Sequence, residues 1–438
     1  MALGGGTFLT QNKVLPGTYI NFVSTASASA TLADRGTATI PLELPWNEEL
    51  KIFKVESGEF QKYSMKYFGY AYTADELQPM REIFCYADTV YFFNLRSGGT
   101  AASCTYCTAK YPGSRGNDLY IIILANENST DDAPLYDVET YMGSVLVDEQ
   151  TGVSDISELE DNDYVEWDTS ATLALTAKTP LSGGVDGTVD DANYQTYLDQ
   201  AESYTFNAMG CCSSDDTIKA LFAAYVERLR DEVGKKFQVV LWNYLADYEG
   251  VVSVKNGLES DPDSTALVPW VTGVVAGTAV NKSATNMTYN GELDVDTDYT
   301  QSELEAAIEE GSFTFHLVDD TVRVLTDINT FVSVTDEKSA DFSSNQVIRV
   351  LDQIATDIAS VFCTKYIGKV QNDTAGRTSL WNDIVKHHQQ LQDIRAIEDF
   401  SPEDVAVEIG DTKKSVVVTD YVTPIAAMEQ LYMTVYVS

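Results

Sequence analysis

The chain has 438 residues, 44% of them hydrophobic, which is too long for one ordinary domain and too apolar for a disordered one. Sixty-seven acidic residues against 28 basic ones give a formal charge of −39, a field that repels nucleic acid and anionic membranes. No apolar run approaches the ~20 residues that span a bilayer, which argues against membrane insertion.

Residues 1–30 are rich in Gly, Ser, Thr and Ala and read as an arm, with one strand-like piece at Thr18–Val23. Met1-Ala-Leu-Gly-Gly-Gly-Thr7 lacks the charged and apolar regions of a secretory signal, so cytoplasmic synthesis is expected. From residue 31 to 98 the pattern tightens. It predicts strands at Thr37–Leu44 and Thr89–Leu95 and a helix at Ala74–Tyr86.

Between 99 and 180 six short strands follow without a helix: Ser103–Lys110, Asp118–Ala125, Leu135–Tyr141, Ser144–Asp148, Tyr164–Asp168 and Thr172–Ala177. That spacing predicts an antiparallel β-sandwich. Residues 181–335 return to mixed α/β, with helices at Asp191–Ala201, Asp216–Val233 and Thr265–Asn281 and a buried strand at Phe237–Trp242. The likeness of 31–98 to 181–335 implies one α/β domain split by the inserted sandwich.

An α+β region follows at 336–425. A long amphipathic helix is predicted at Asn345–Phe362, with Val347, Ile348, Leu351, Ile354, Ala355, Ile358 and Val361 inward, and a second helix at Ser379–Ile394. Strands are expected at Val405–Ile409, Ser415–Val422 and Gln430–Val437. In the last of these, within the terminal arm 426–438, Leu431, Met433, Val435 and Val437 share one face. A strand at a free chain end still has backbone donors and acceptors to satisfy. Two such ends suggest a subunit that lends strands to its neighbours.

The search for catalytic and cofactor chemistry gives no site. P-loop, dinucleotide and nucleophile-elbow motifs are absent, and no cofactor or metal is assigned. Asp294, Asp296, Asp298 and Glu305 have the spacing of a calcium loop, but Tyr299 stands where the sharp turn needs glycine. Ser302-x-x-Glu305 reads better as a capping box. Cys104-x-x-Cys107 lacks a second metal-binding half, and in one strand the two side chains point to opposite faces. All six cysteines are expected as thiols. His387 and His388 point to different sides of their helix, as an exposed basic patch. Lys386, His387, His388 and Arg395 form a basic stretch in an acidic chain, either a solvated face or a contact for an acidic partner. The charge itself is either a solubility device or a lateral repulsion that specific contacts must overcome. An alternative reading remains open, a hydrolase with an α/β catalytic domain and a β-sandwich binding domain.

Several stretches together resemble the tail sheath proteins of contractile phage tails and phage tail-like bacteriocin particles, of the type found in Gram-positive hosts. They include Pro16-Gly-Thr-Tyr-Ile-Asn-Phe22, Arg35-Gly-Thr-Ala-Thr-Ile-Pro-Leu-Glu-Leu-Pro-Trp46, Ala109-Lys-Tyr-Pro-Gly-Ser-Arg-Gly-Asn-Asp118, Tyr225–Phe237, Ala246–Val251, Thr326–Thr330, Val347–Asp352 and Ala427–Val435. The resemblance implies a homo-oligomeric helical sheath of six-membered rings around a tail tube, with baseplate and terminator proteins as further partners. It also implies assembly in the host cytoplasm into a virion or tail-like particle, and contraction without an enzyme activity. Strand arms are expected at Tyr19, Ile20, Phe22, Leu431, Met433, Val435 and Val437, with a hinge at 30–36. Val416 and Val418 either accept a donated strand or belong to the donating hairpin. Lys386, His387 and Arg395 are candidate tube contacts.

Overall fold

The computed structural model describes residues 32–437. Contacts divide the described residues into two compact units, one built from residues 34–353 with 424–437, the other from 354–423 with residues 32–33.

The first unit is centred on a seven-stranded sheet in the order Ser312–Phe313, Val251–Val254, Gln238–Trp242, Ala208–Cys211, Thr37–Leu42, Thr89–Asn94, Ile52–Glu56. Every pairing is parallel except the last, where Ile52–Glu56 runs against Thr89–Asn94. Parallel strands are covered on both faces, which explains why Gln-Val-Val-Leu-Trp and Val-Val-Ser-Val show no alternation and are buried throughout. The sheet combines strands from before and after the inserted domain, as a split α/β domain requires.

The Val268–Gly277 helix is buried along almost its whole length. A Cβ at Gly273 or Gly277 would collide with the carbonyl oxygens of Ile83 and Tyr86, so glycine is what lets this helix approach the 78–86 segment. The stretch where one helix over 74–86 was expected is broken into a short 3-10 turn at Asp75–Leu77 and a helix at Gln78–Ile83. Pro79 early in the helix favours a fresh start there.

Elements without a sequence forecast include the Ser57–Phe68 helix and the strands Ala208–Cys211 and Val251–Val254. Each of those two strands has only four residues, too short for a period to register.

The inserted domain holds a four-stranded antiparallel sheet, Val145–Val153, Tyr136–Met142, Leu119–Ala125, Thr176–Pro180, and a separate pair, Cys107–Ala109 with Val165–Trp167. Its core gathers Ile121, Ile123, Val138, Met142, Val165 and Trp167. The Asp216–Arg228 helix continues as a π-turn over Leu229–Val233 and ends at Gly234, φ +87°. The Gln301–Glu309 helix is capped by Thr300 with Glu303, two residues earlier than the expected Ser302 with Glu305. Thr300 wins because its hydroxyl accepts from the Glu303 amide while the Glu303 carboxylate accepts from the Thr300 amide.

In the second unit the helix Thr374–Asp393 begins at Asp373, whose side chain accepts from the Gly376 amide. A hairpin of Val405–Ile409 and Val416–Asp420 follows. Val361, Tyr366, Leu380, Ile384, Val385 and Val405 form the core of this unit.

Candidate functional site

The C-terminal tail separates into an anchored root and a free end. The Ala427 amide donates to Gln346 Oε1 at 3.0 Å, and the Glu429 carboxylate accepts from the hydroxyls of Thr285 at 2.7 Å and Thr326 at 3.0 Å. Beyond Glu429 this attachment ends. Among the described residues no strand pairs with 430–437, and no backbone hydrogen bond joins that stretch to another segment. The strand expected at Gln430–Val437 is therefore not formed in the isolated chain, because a strand exists only with a partner. Its alternating side chains are bare instead: Leu431 is 84% exposed, Met433 74%, Val435 68% and Val437 93%.

Among the described residues the hairpin of the second unit pairs with no third strand. With two strands described, each has one side that no other described strand pairs. Val418 and Val417 are exposed on it, as is Ile409, while Val416 is half-buried against the core of Val361, Leu380 and Val405. Trp381 on the Thr374–Asp393 helix donates its Nε1 to the Val405 carbonyl at 2.9 Å and holds the hairpin down. The arm residues Tyr19, Ile20 and Phe22 lie outside the described residues.

Of the basic stretch, Lys386 and Arg395 are exposed and His387 and His388 are not. Both rings are fully buried, their Nδ1 atoms 3.2 Å apart, with His387 Nε2 at 2.8 Å from Asp357 and His388 Nε2 at 2.7 Å from Asp420. The exposed basic patch predicted here, with His387 on it, is corrected: two carboxylates bury the pair. Sequence could not reveal those partners, which lie 30 and 32 residues away. Arg395 sits at φ +61° just past the helix, the left-handed position usually given to glycine.

The long helix Asn345–Val361 departs from its sequence pattern in a related way. Leu351, Ile354, Ala355 and Ile358 are only half-buried, whereas Arg349, Asp352 and Asp357 on its polar side are buried. Arg349 meets Asp327 at 2.5 Å, and Arg230 grips both oxygens of Asp352 at 2.7 and 2.8 Å. Nearby Arg35 donates to the carbonyls of Val275 and Thr278 at the end of the Val268–Gly277 helix. Burial, then the Arg349 charge, lowers its pKa to about 9. These buried ions are structural, each closed on a partner. Among the described residues no cluster of His, Cys, Asp and Glu could hold a metal ion.

The chain matches known proteins along most of its length. Residues 97–186 match the phage tail sheath protein beta-sandwich domain, 187–330 the central domain, and 337–438 the phage tail sheath C-terminal domain. The phage-like element PBSX protein XkdK of Bacillus subtilis (strain 168) is 33% identical over 474 residues, covering 100% of both chains. The crystal structure of a sheath tail protein from Desulfitobacterium hafniense superposes with a TM-score of 0.80 at 36% identity, covering 94% of this chain and 98% of that one. The contracted helical sheath of the anti-feeding prophage shares the fold at 13% identity, TM-score 0.56, covering 97% of this chain and 99% of that one. None of these likenesses speaks for the hydrolase alternative. The exposed tail belongs to a chain whose domains are those of a sheath subunit, and this protein is a member of the phage tail sheath family.

Proposed function

We propose that this chain polymerises as stacked six-membered rings around a tail tube and shortens to drive the tube through a target envelope. The observation that carries this reading is the tail: an anchored root at Glu429, then a bare strand pattern with no partner among the described residues. Leu431, Met433, Val435 and Val437 supply apolar anchoring in a neighbouring subunit, and main-chain hydrogen bonds supply the link. Tyr19, Ile20 and Phe22 of the 1–30 arm make the matching contact at the other end. Val416 and Val418 stand on the hairpin that takes part in the exchange.

Linked subunits stay joined while the sheath shortens, and the extended form stores free energy because assembly on the baseplate selects the weaker contacts. No nucleotide is hydrolysed. The region 336–425 faces the tube, with Lys386 and Arg395 as its cationic contacts, and 99–180 lies outside. Terminator proteins close the far end. The assembled product is a virion or a phage tail-like particle.

Negative-stain microscopy tests this. The full-length protein is expected to form tubes or rings, and the chain lacking 430–437 to stay monomeric. Normal polymers from the shortened chain would overturn the strand-lending reading.

A further inference from the structure

Cys104 and Cys107 do not lie along one strand, as their spacing suggested. They face each other across a tight hairpin whose loop is Thr105-Tyr106. The Cys104 amide donates to the Cys107 carbonyl at 2.9 Å, and Ser103 bridges Thr108 in the same antiparallel register. Directly opposed residues of a hydrogen-bonded antiparallel pair have Cα atoms about 5.5 Å apart, within the span of a disulfide. The two sulfur atoms stand 3.6 Å apart, both as free thiols.

We propose that this pair is a reversible redox site: Cys104 and Cys107 close a disulfide across the hairpin by exchange with a low-molecular-weight disulfide. The two thiols have unequal environments suited to that chemistry. Cys107 is 1% exposed in the core of the inserted domain, while Cys104 is partly open to solvent. The two thiols are in S–H···S contact, and the Tyr106 amide donates to the Cys104 sulfur at 3.4 Å. The Cys107 contact, opposed by burial and helped by the Tyr106 amide, lowers the Cys104 thiol to about 6. The same contact and burial push the Cys107 thiol upward. Cys104 is the attacking thiolate and Cys107 the resolving thiol.

The exchange balances as follows. The Cys104 thiolate attacks one sulfur of the external disulfide, forming a mixed disulfide and expelling one thiolate, which takes up the proton released in forming the Cys104 thiolate. Cys107 then loses its proton, attacks the Cys104 sulfur and expels the second thiolate, which takes that proton. The protein is oxidised by two electrons and one external disulfide is reduced to two thiols. A reducing cytoplasm keeps the pair open, and an oxidising medium closes it. The view that closure follows particle release rests on the sheath reading; the chemistry of the pair does not.

The test uses the full-length chain, purified reduced, treated with glutathione disulfide, alkylated with N-ethylmaleimide and mapped by mass spectrometry. Alkylation of Cys104 and Cys107 is expected to fall at least tenfold, with the peptide two hydrogens lighter, and to return with dithiothreitol. Exposed Cys363 is expected to carry glutathione instead. Cys107→Ser should trap glutathione on Cys104, and Cys104→Ser should leave Cys107 unmodified. Unchanged alkylation of the wild-type pair, or a lasting glutathione adduct on wild-type Cys104, would overturn the proposal without needing either variant. Polymerisation followed on the same samples separates the two questions, because a chain that closes its disulfide and never polymerises defeats only the sheath reading.

Discussion

His387 and His388 face one another through their Nδ1 atoms at 3.2 Å, and each turns its Nε2 to a carboxylate, Asp357 and Asp420. A hydrogen bond between two Nδ1 atoms needs a proton on one of them, so the four groups act as one chain of donors and acceptors. Removing a middle member strands its neighbours. His388→Ala is expected to destabilise the 354–423 unit by about 3 kcal/mol, from the orphaned Asp420 and His387 groups and lost packing on Phe400. Urea unfolding followed by hydrogen exchange on the Thr374–Asp393 helix measures it. His388→Phe keeps a ring and loses both hydrogen bonds; wild-type stability in that variant would show that packing alone matters.

A second buried pair tests the other unit. Asp327 accepts from Arg349, from the Ala284 amide at 2.9 Å and from Asn345 at 3.0 Å. Asp327→Asn keeps the shape and removes the charge, leaving the Arg349 guanidinium buried with Arg35 close by. The expected loss is about 3–5 kcal/mol, read as a lower denaturation midpoint at unchanged m-value. A loss below about 1 kcal/mol would mean that Arg349 finds water or another acceptor.

These pairs also mark where sequence reasoning stopped. Long periodic elements were legible: Asp191–Ala201 is observed with the predicted bounds, and Asn345–Val361 within one residue. Closely spaced short strands gave the inserted sandwich. The polar face of Asn345–Val361 read as solvent-facing because its pattern is amphipathic, yet Asp327 and Arg230 reach it from distant segments. The Cys104 and Cys107 geometry was hidden for a similar reason, since a two-residue hairpin loop leaves no periodic signal. The tail read as a strand from its alternation, and among the described residues 430–437 form no strand because nothing there pairs with them.

The tail makes a clean separation between folding and assembly. Residues 430–437 are exposed and unbonded to the body, so deleting them should change the unfolding free energy by less than about 0.5 kcal/mol. Polymer yield should fall to background. Glu429→Ala removes two hydroxyl contacts at the root and should reduce polymerisation while leaving the melting profile unchanged. Analytical ultracentrifugation beside calorimetry distinguishes these outcomes from misfolding.

Lys386 and Arg395 are exposed cations on and just beyond one helix of a chain with formal charge −39. Lys386→Glu with Arg395→Glu is expected to weaken assembly templated by the tail tube and to spare sheath-only polymers. Co-sedimentation with purified tube reads the first effect and microscopy the second. Equal tube-templated assembly by the variant would remove this helix from the tube face.

Arg395 carries a further expectation, separate from its charge. Its φ of +61° places a side chain where an L-residue costs about 1 kcal/mol, while glycine adopts the conformation freely. Arg395→Gly should therefore stabilise the helix end by up to about 1 kcal/mol, the gain being trimmed by the extra freedom of glycine in the unfolded chain. The same substitution removes a proposed tube contact. A variant that melts higher and binds tube more weakly would show that this position gives up stability for contact. A variant that melts higher and binds tube equally would leave the charge there without a role in tube binding, and Lys386 alone would have to account for any effect of the double reversal.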